Sequence, residues 1–333
     1  MKTLLSVRNL RVEIPTRRAT LVAVDDMSFD IAEGEVLGVV GESGAGKSIT
    51  GSAVIGLIDP PGRVAGGEIV FAGRRIDNLP PEAMRHLRGR DIGAVFQDPL
   101  TSLNPLLTVG RQLAQTIAAH LDMSPSEAWE RALRLLTEVG IPAAKERLDS
   151  YPHELSGGMR QRVVLALAFC CEPRLIIADE PTTALDVSVQ AQVIDLFRRM
   201  CRERGTAVML ITHDMGVIAE TADRIAVMYA GRLVEIGPAQ AVLKAPAHPY
   251  TRGLMASIPT MKRRTAELLQ IEGSMPRLTA IPPGCAFHPR CLERLARCTH
   301  DRPDMIDADG RSVACWLVGE AGTKHEKAVP GHA

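Results

Sequence analysis

The sequence predicts an α/β protein built around a largely parallel sheet. Three observations lead there. A short, nearly continuous apolar run, "EVLGVV" (35–40), opens into a glycine-rich loop; two later runs, "RLIIADEP" (174–181) and "TAVMLITHD" (206–214), end in acidic or polar residues; and a helical stretch from about Val187 to Arg204 lies between those two. Short continuous runs suit strands covered on both faces, and strands alternating with helices pair in parallel.

Taken in order, the first seventy residues alternate. Leu10, Val12 and Ile14 lie two apart, as do Met27, Phe29 and Ile31, the period of half-buried strands. After the buried run at 35–40 and its loop, a helix begins near Lys47. "GGEIVFAGRRI" (66–76) reads as a further strand with a glycine-marked turn. From Pro99 to about Phe169 the period becomes helical, and "SPSEAWERALRLLTEVG" (124–140) is the best-marked case. Ser124 caps it, Pro125 suits the first helical position and Glu127 completes a capping box. Ala128, Trp129, Ala132, Leu133 and Leu136 form its apolar face, and Gly140 ends it. After roughly Pro259 the periodicity fades, and "IPPGCAFHPRC" (281–291) suggests a small appended Cys-rich module.

Bulk properties narrow the function. At 333 residues the length suits about two domains. Lys+Arg 39 balances Asp+Glu 39, so no global field draws the chain to nucleic acid or anionic lipid, and 3% aromatic content argues against base-stacking surfaces. "MKTLLSVRNLRVEIP" at the N-terminus lacks the features of a signal peptide. The longest apolar run, "VVLALAFCC" (163–171), is far too short to cross a bilayer. A cytosolic chain that meets membrane through a partner is expected.

"GESGAGKS" (41–48) matches G-x-x-x-x-G-K-[ST]. Its glycines let backbone N–H groups curl around phosphate, with the positive end of the next helix behind them. Lys47 reaches toward the β- and γ-phosphates and the Ser48 hydroxyl toward Mg²⁺, while Gly41, Glu42, Ser43, Gly44, Ala45, Gly46 and Ile49 complete the ATP cradle. "LIIADE" places Asp179 and Glu180 at the tip of a buried strand. Asp179 suits Mg²⁺, and Glu180 suits a base that orients the attacking water. "YPHELSGGMRQR" (151–162) reads as a second helix start able to hold phosphate, with basic and amide residues after two glycines.

Together with Gln97 in "VFQDPLTSLNP", "LSGGMRQR", Asp186 in "TTALD" and His213 in "LITHD", these motifs make the first 260 residues resemble ABC-type ATPases. The resemblance implies a phosphate-loop NTPase core with an antiparallel β subdomain and a helical subdomain at about 98–170. It also implies that two such domains pack head to tail, Ser156, Gly157 and Gly158 of one facing the ATP of the other. Each chain would then contribute to two different ATP molecules. In this scheme His213 contacts the γ-phosphate, Gln97 joins Ser48 and Asp179 around Mg²⁺ and links the attacking water to the helical subdomain, and Asp186 lies in the dimer loop. The family's adenine-stacking aromatic is missing between Leu10 and Met27, so Ile14 or Pro15 would cover one face of the base.

"QDPLTSLNPLLTVG", "DEPTTALDVSVQAQV", "HPYTRGLMASIP" and the tail resemble one branch, the ATPases of bacterial dipeptide, oligopeptide and nickel importers. That branch implies a peripheral subunit on the cytoplasmic face of the inner membrane. Its partners would be a second, often different, ATPase chain, two permease subunits and an external binding protein, with no nucleic acid. In the tail (261–333), Cys285, Cys291, Cys298 and Cys315 follow C-x5-C-x6-C-x16-C, without the C-x2-C of zinc knuckles. The resemblance points to a [4Fe-4S] cluster; zinc or no metal are the alternatives, with His288 and His300 as substitute ligands. Two other classes stay in view. Repair or translation ABC proteins carry long coiled coils or a second cassette, which this chain lacks. A metal-dependent nucleic-acid module would use a basic patch at Arg290, Arg294 and Arg297.

Overall fold

The computed structural model describes residues 2–182, 186–257 and 271–319. Strands β1 (Thr3–Pro15), β2 (Thr20–Ala32) and β3 (Val36–Val40) precede helix α1 (Lys47–Val54), followed by β4 (Arg63–Phe71), β5 (Arg74–Arg75), α2 (Pro81–Leu87) and β6 (Ile92–Val95). The helical stretch comprises α3 (Pro99–Ser102), α4 (Val109–His120), α5 (Pro125–Glu138), α6 (Ala144–Arg147) and α7 (Gly157–Phe169). Then come β7 (Leu175–Asp179), α8 (Val187–Arg204), β8 (Ala207–Ile211), α9 (Met215–Thr221), β9 (Arg224–Tyr229), β10 (Arg232–Pro238), α10 (Ala239–Lys244) and α11 (Pro249–Ala256). β11 (Ile306–Ala308), β12 (Arg311–Val313) and α12 (Trp316–Gly319) end the described chain.

These elements form two discontinuous compact units. The first takes in Met1–Leu5, Asp30–Val36 and Val70–Ile211; the second takes in Ser6–Phe29, Leu37–Ile69 and Thr212–Ala333. In the first, β6, β7 and β8 pair in parallel, with Ile92 opposite Leu175 and Leu175 opposite Ala207. All five residues of β8 and four of β7 are buried, as their unbroken apolar composition requires. β5 turns back on the end of β4, Val70 opposite Arg75. α7 and α8 pack together, their Phe169 and Phe197 rings edge to face at 6.0 Å.

The capping box of α5 forms as expected: Ser124 Oγ accepts from the Glu127 N–H, and the Glu127 carboxylate accepts from the Ser124 N–H at 2.8 Å. Gly140 at φ 73° follows the helix. The apolar face, however, is rotated. Ala128, Ala132, Leu135 and Leu136 are buried, whereas Trp129 is 37% exposed and Leu133 half-buried. The Trp129 ring edge lies against α4 at Gly110, where an added Cβ would meet it at 2.7 Å. Only the ring edge enters, and Leu135 takes the interior place.

In the second unit β3 and β9 run parallel, Val39 opposite Ala226, and β9 and β10 antiparallel. β2, β1 and β4 are neighbours in that order in a separate sheet. Part of the C-terminal region joins the sheet of β9 and β10. β12 pairs antiparallel with β10, Val313 opposite Glu235, and β11 pairs with β12. A fully buried Val313 explains this, because three residues with one apolar anchor complete an existing edge but make no core alone. No helix among the described residues is long and apolar enough to cross a membrane.

Candidate nucleotide site

The second unit carries the phosphate loop. β3 enters it buried and α1 leaves it at Lys47. Gly46 sits at φ 99°, where an added Cβ would stand 2.8 Å from the Ala23 carbonyl, and a Cβ at Gly41 would collide with the Met228 carbonyl. No side chain fits either place. Lys47 is buried, and its Nζ donates to the carbonyls of Gly41 at 2.8 Å and Glu42 at 3.1 Å. Ser43, Gly44 and Ser48 are exposed, Ala45 is buried and Ile49 half-buried. Exposed His213 lines a cavity of about 320 Å³ together with Gly41 and Glu42, so the predicted γ-phosphate contact and the start of the loop share one recess. Ile14 and Pro15 end β1 half-exposed.

The first unit carries the acidic strand end. Asp179 closes β7, and Glu180 follows at φ 48°, its N–H donating to the Ile211 carbonyl at 2.8 Å. A non-glycine residue there costs about 1 kcal/mol or more, a strain that recurs at functional positions. Gln97 Nε2 donates to Glu180 Oε2 at 3.0 Å, joining two predicted catalytic residues. Asp186 caps α8, accepting from the Val189 N–H at 3.0 Å; the preceding Thr183, Ala184 and Leu185 of "TTALD" lie outside the described residues.

Ser156 caps α7, its Oγ accepting from the Met159 N–H at 3.3 Å, and Ser156 and Gly157 are exposed. The arginines and glutamine that follow do not form the expected phosphate grip. Arg160 donates to the Pro152 carbonyl at 2.9 Å and Arg162 to that of Val139 at 2.7 Å, while buried Gln161 donates to the Pro181 carbonyl next to Glu180. Helical periodicity turns these side chains toward neighbouring loops and leaves only the serine and the helix start facing outward. Gly158 is small for packing too, since a Cβ there would stand 2.6 Å from Val189 Cγ1.

In the C-terminal region, Cys285, Cys291, Cys298 and Cys315 line one small recess with His288, Phe287 and Trp316. Burial, with a smaller contribution from the neighbouring cysteines, pushes the Cys291 thiol up to about 11 and that of Cys315 up to about 12. Among the described residues no group of three or more His, Cys, Asp or Glu is spaced to hold a metal ion. His300 is exposed and faces Thr299 at 3.0 Å. Two of the three arginines there are engaged within the chain. Arg290 is 8% exposed and ion-paired to Glu42, and the Arg297 guanidinium lies 3.5 Å over the Trp316 ring. Partnered guanidiniums of this kind offer little to a phosphate backbone.

Sequence reading missed several supports. Tyr250, fully buried in α11, accepts from the Glu42 N–H at 2.8 Å. His248 Nδ1 accepts from the Tyr250 N–H at 3.0 Å, and burial holds that imidazole neutral, down to about 3. Buried Glu235 in turn accepts from the His248 N–H at 2.9 Å. The signal was present in "HPYTRG", since a Pro at the first helical position after a capping His fixes where the tyrosine points.

A strand–loop–helix with a buried lysine, and a strand-end carboxylate pair attended by a glutamine, define a nucleoside-triphosphatase of the phosphate-loop class. Comparison with known proteins agrees. Residues 24–183 match the ABC transporter family, and 234–298 match the oligopeptide/dipeptide transporter C-terminal region. The chain is 48% identical over 319 residues to the dipeptide transport ATP-binding protein DppD of Bacillus subtilis, covering 95% of each. It is 47% identical to the oligopeptide transport ATP-binding protein OppD of Salmonella typhimurium, covering 94% of this chain and 93% of that one. Among solved structures, a dimeric post-hydrolysis state of the ATP-binding cassette MJ0796 bound to ADP and Pi is similar with TM-score 0.64 at 27% identity, over 71% of this chain and 99% of that one. The chain belongs to the ABC transporter ATP-binding family, in the branch of the dipeptide and oligopeptide transport subunits.

Proposed function

We propose that this chain hydrolyses ATP to drive import of di- and oligopeptides through permease subunits of a bacterial inner membrane. The observation that carries the reading is similarity to peptide-transport ATP-binding proteins across the whole chain, the C-terminal region included. Residues 1–260 would act as the nucleotide-binding domain, with the helical subdomain at about 98–170 meeting the permeases, and 261–333 as the extension. A second ATPase chain would pack head to tail, so that Ser156, Gly157 and Gly158 approach the partner's ATP; similarity to the dimeric MJ0796 cassette supports pairing of two such chains. Asp186 would line the same seam.

In this scheme the loop from Gly41 to Ile49 wraps the phosphates, and Lys47 leaves its carbonyl partners to meet them. The hydroxyl of Ser48, the carboxylate of Asp179 and the amide of Gln97 are hard oxygen donors suited to Mg²⁺, which when bound neutralises phosphate charge. Glu180, aligned by Gln97, takes the proton of the attacking water, and His213 stabilises charge at the γ-phosphate. With purified permeases in lipid vesicles, the chain should drive ATP-dependent uptake of a labelled dipeptide. Uptake of nickel and no peptide would overturn the substrate.

Four thiolates are the usual ligand set of a [4Fe-4S] cluster, and the four thiols line one apolar recess, although among the described residues they are not spaced to hold a metal ion. Cys285, Cys291, Cys298 and Cys315 would hold it, and its role would be structural. Anaerobically prepared protein should be brown with about four irons per chain, and Cys298→Ser should lose both. Colourless protein with one zinc per chain would reject the cluster.

A further inference from the structure

Glu42 places a carboxylate on a loop built to receive phosphate, and both carry negative charge. Arg290 counters it. Its Nη1 donates to Glu42 Oε1 and Oε2 at 3.0 and 3.1 Å, although 248 residues separate the two. The guanidinium itself is fixed. It lies 5.9 Å from the ring centres of both Tyr229 and Phe287, and donates to the carbonyls of Glu272 at 2.7 Å and Ile271 at 3.2 Å. Arg290 sits next to Cys291, and Phe287, which lines the recess of the four thiols, packs on Tyr250, so the cysteine region and the phosphate loop meet through Arg290 and Tyr250. Tyr250 holds the Glu42 N–H from the same side. A planar fork with several donors suits this place; a lysine would supply charge without the backbone ties.

We propose that Arg290 is a positioning residue for nucleotide binding: it cancels the charge of Glu42 and holds that carboxylate off the phosphates. The C-terminal cysteine region thereby sets the affinity of the loop. The inference rests on reading 41–48 as an ATP site, and a Lys47→Ala control keeps the two separable.

The test measures MgATP affinity of the full chain by titration calorimetry, with thermal unfolding as a check on folding. Arg290→Ala should weaken binding about tenfold, through repulsion between the freed carboxylate and the phosphates. Glu42→Gln, whatever its own affinity, is the reference, and Glu42→Gln with Arg290→Ala should bind within about twofold of it. That rescue is the deciding result, because a merely structural arginine would leave the double variant as weak as Arg290→Ala. Unchanged affinity in Arg290→Ala, or no rescue, overturns the proposal. If Arg290→Ala does not fold, Arg290→Met fills the space between the rings and takes its place under the same criteria. If Lys47→Ala binds as the wild type does, the reading of the loop fails instead.

Discussion

Glu180→Gln is expected to lower ATP turnover by about 10²- to 10⁴-fold, the usual worth of a positioned general base, while ATP stays bound. The side chain stands on a backbone held at φ 48° with its N–H tied to Ile211, so its direction is set before nucleotide arrives. Gln97 Nε2 donates to the carboxylate and so helps to fix its direction. A glutamine keeps this shape and can still accept from Gln97 through its amide oxygen, but it cannot take a proton. The loss therefore falls on the chemical step. Phosphate release and equilibrium nucleotide binding, measured on one preparation, separate the two quantities. The closed dimer proposed above should accumulate with ATP in this variant. Turnover within a few-fold of wild type would remove Glu180 from its role.

Lys47→Ala should act the other way, on binding. The buried ammonium donates to the Gly41 and Glu42 carbonyls and so holds the loop curled without ligand. It is also the loop's own full positive charge, the remaining donors being neutral backbone amides and the Ser43 and Ser48 hydroxyls. A hydrogen bond to a charged group contributes about 1.5–3 kcal/mol, so its loss corresponds to roughly 10- to 150-fold weaker ATP binding. Arg290 does not compensate, because its guanidinium is committed to Glu42 and the carbonyls of 271–272. Fluorescence anisotropy with a labelled ATP analogue reads the change. An affinity within twofold of wild type would contradict the role.

Features coded by neighbouring residues were legible in the sequence. The phosphate loop, the buried strands at 36–40, 175–179 and 207–211, and the capped helix from Pro125 each depend on a few contiguous positions. Features coded by packing were not. Trp129 meets Gly110 of another helix only by its ring edge and stays 37% exposed, and Gly158 owes its size to Val189 on another helix. Arg160, Gln161 and Arg162 looked like a phosphate grip and became ties to Pro152, Pro181 and Val139. Arg290 looked like part of a basic surface, and no pattern around it named Glu42.

The chain's composition and spacing alone determined the α/β class, the ATP-binding loop, the acidic strand end and the four grouped cysteines. Only the tertiary structure decided that Gln97 meets Glu180 across 83 residues, that Arg290 meets Glu42 across 248, and that β12 completes a sheet edge beside β10. The reason is physical. Backbone geometry and solvent exposure act within a few residues and leave a periodic trace, whereas the partner of a buried charge is chosen by whichever groups the finished fold places beside it.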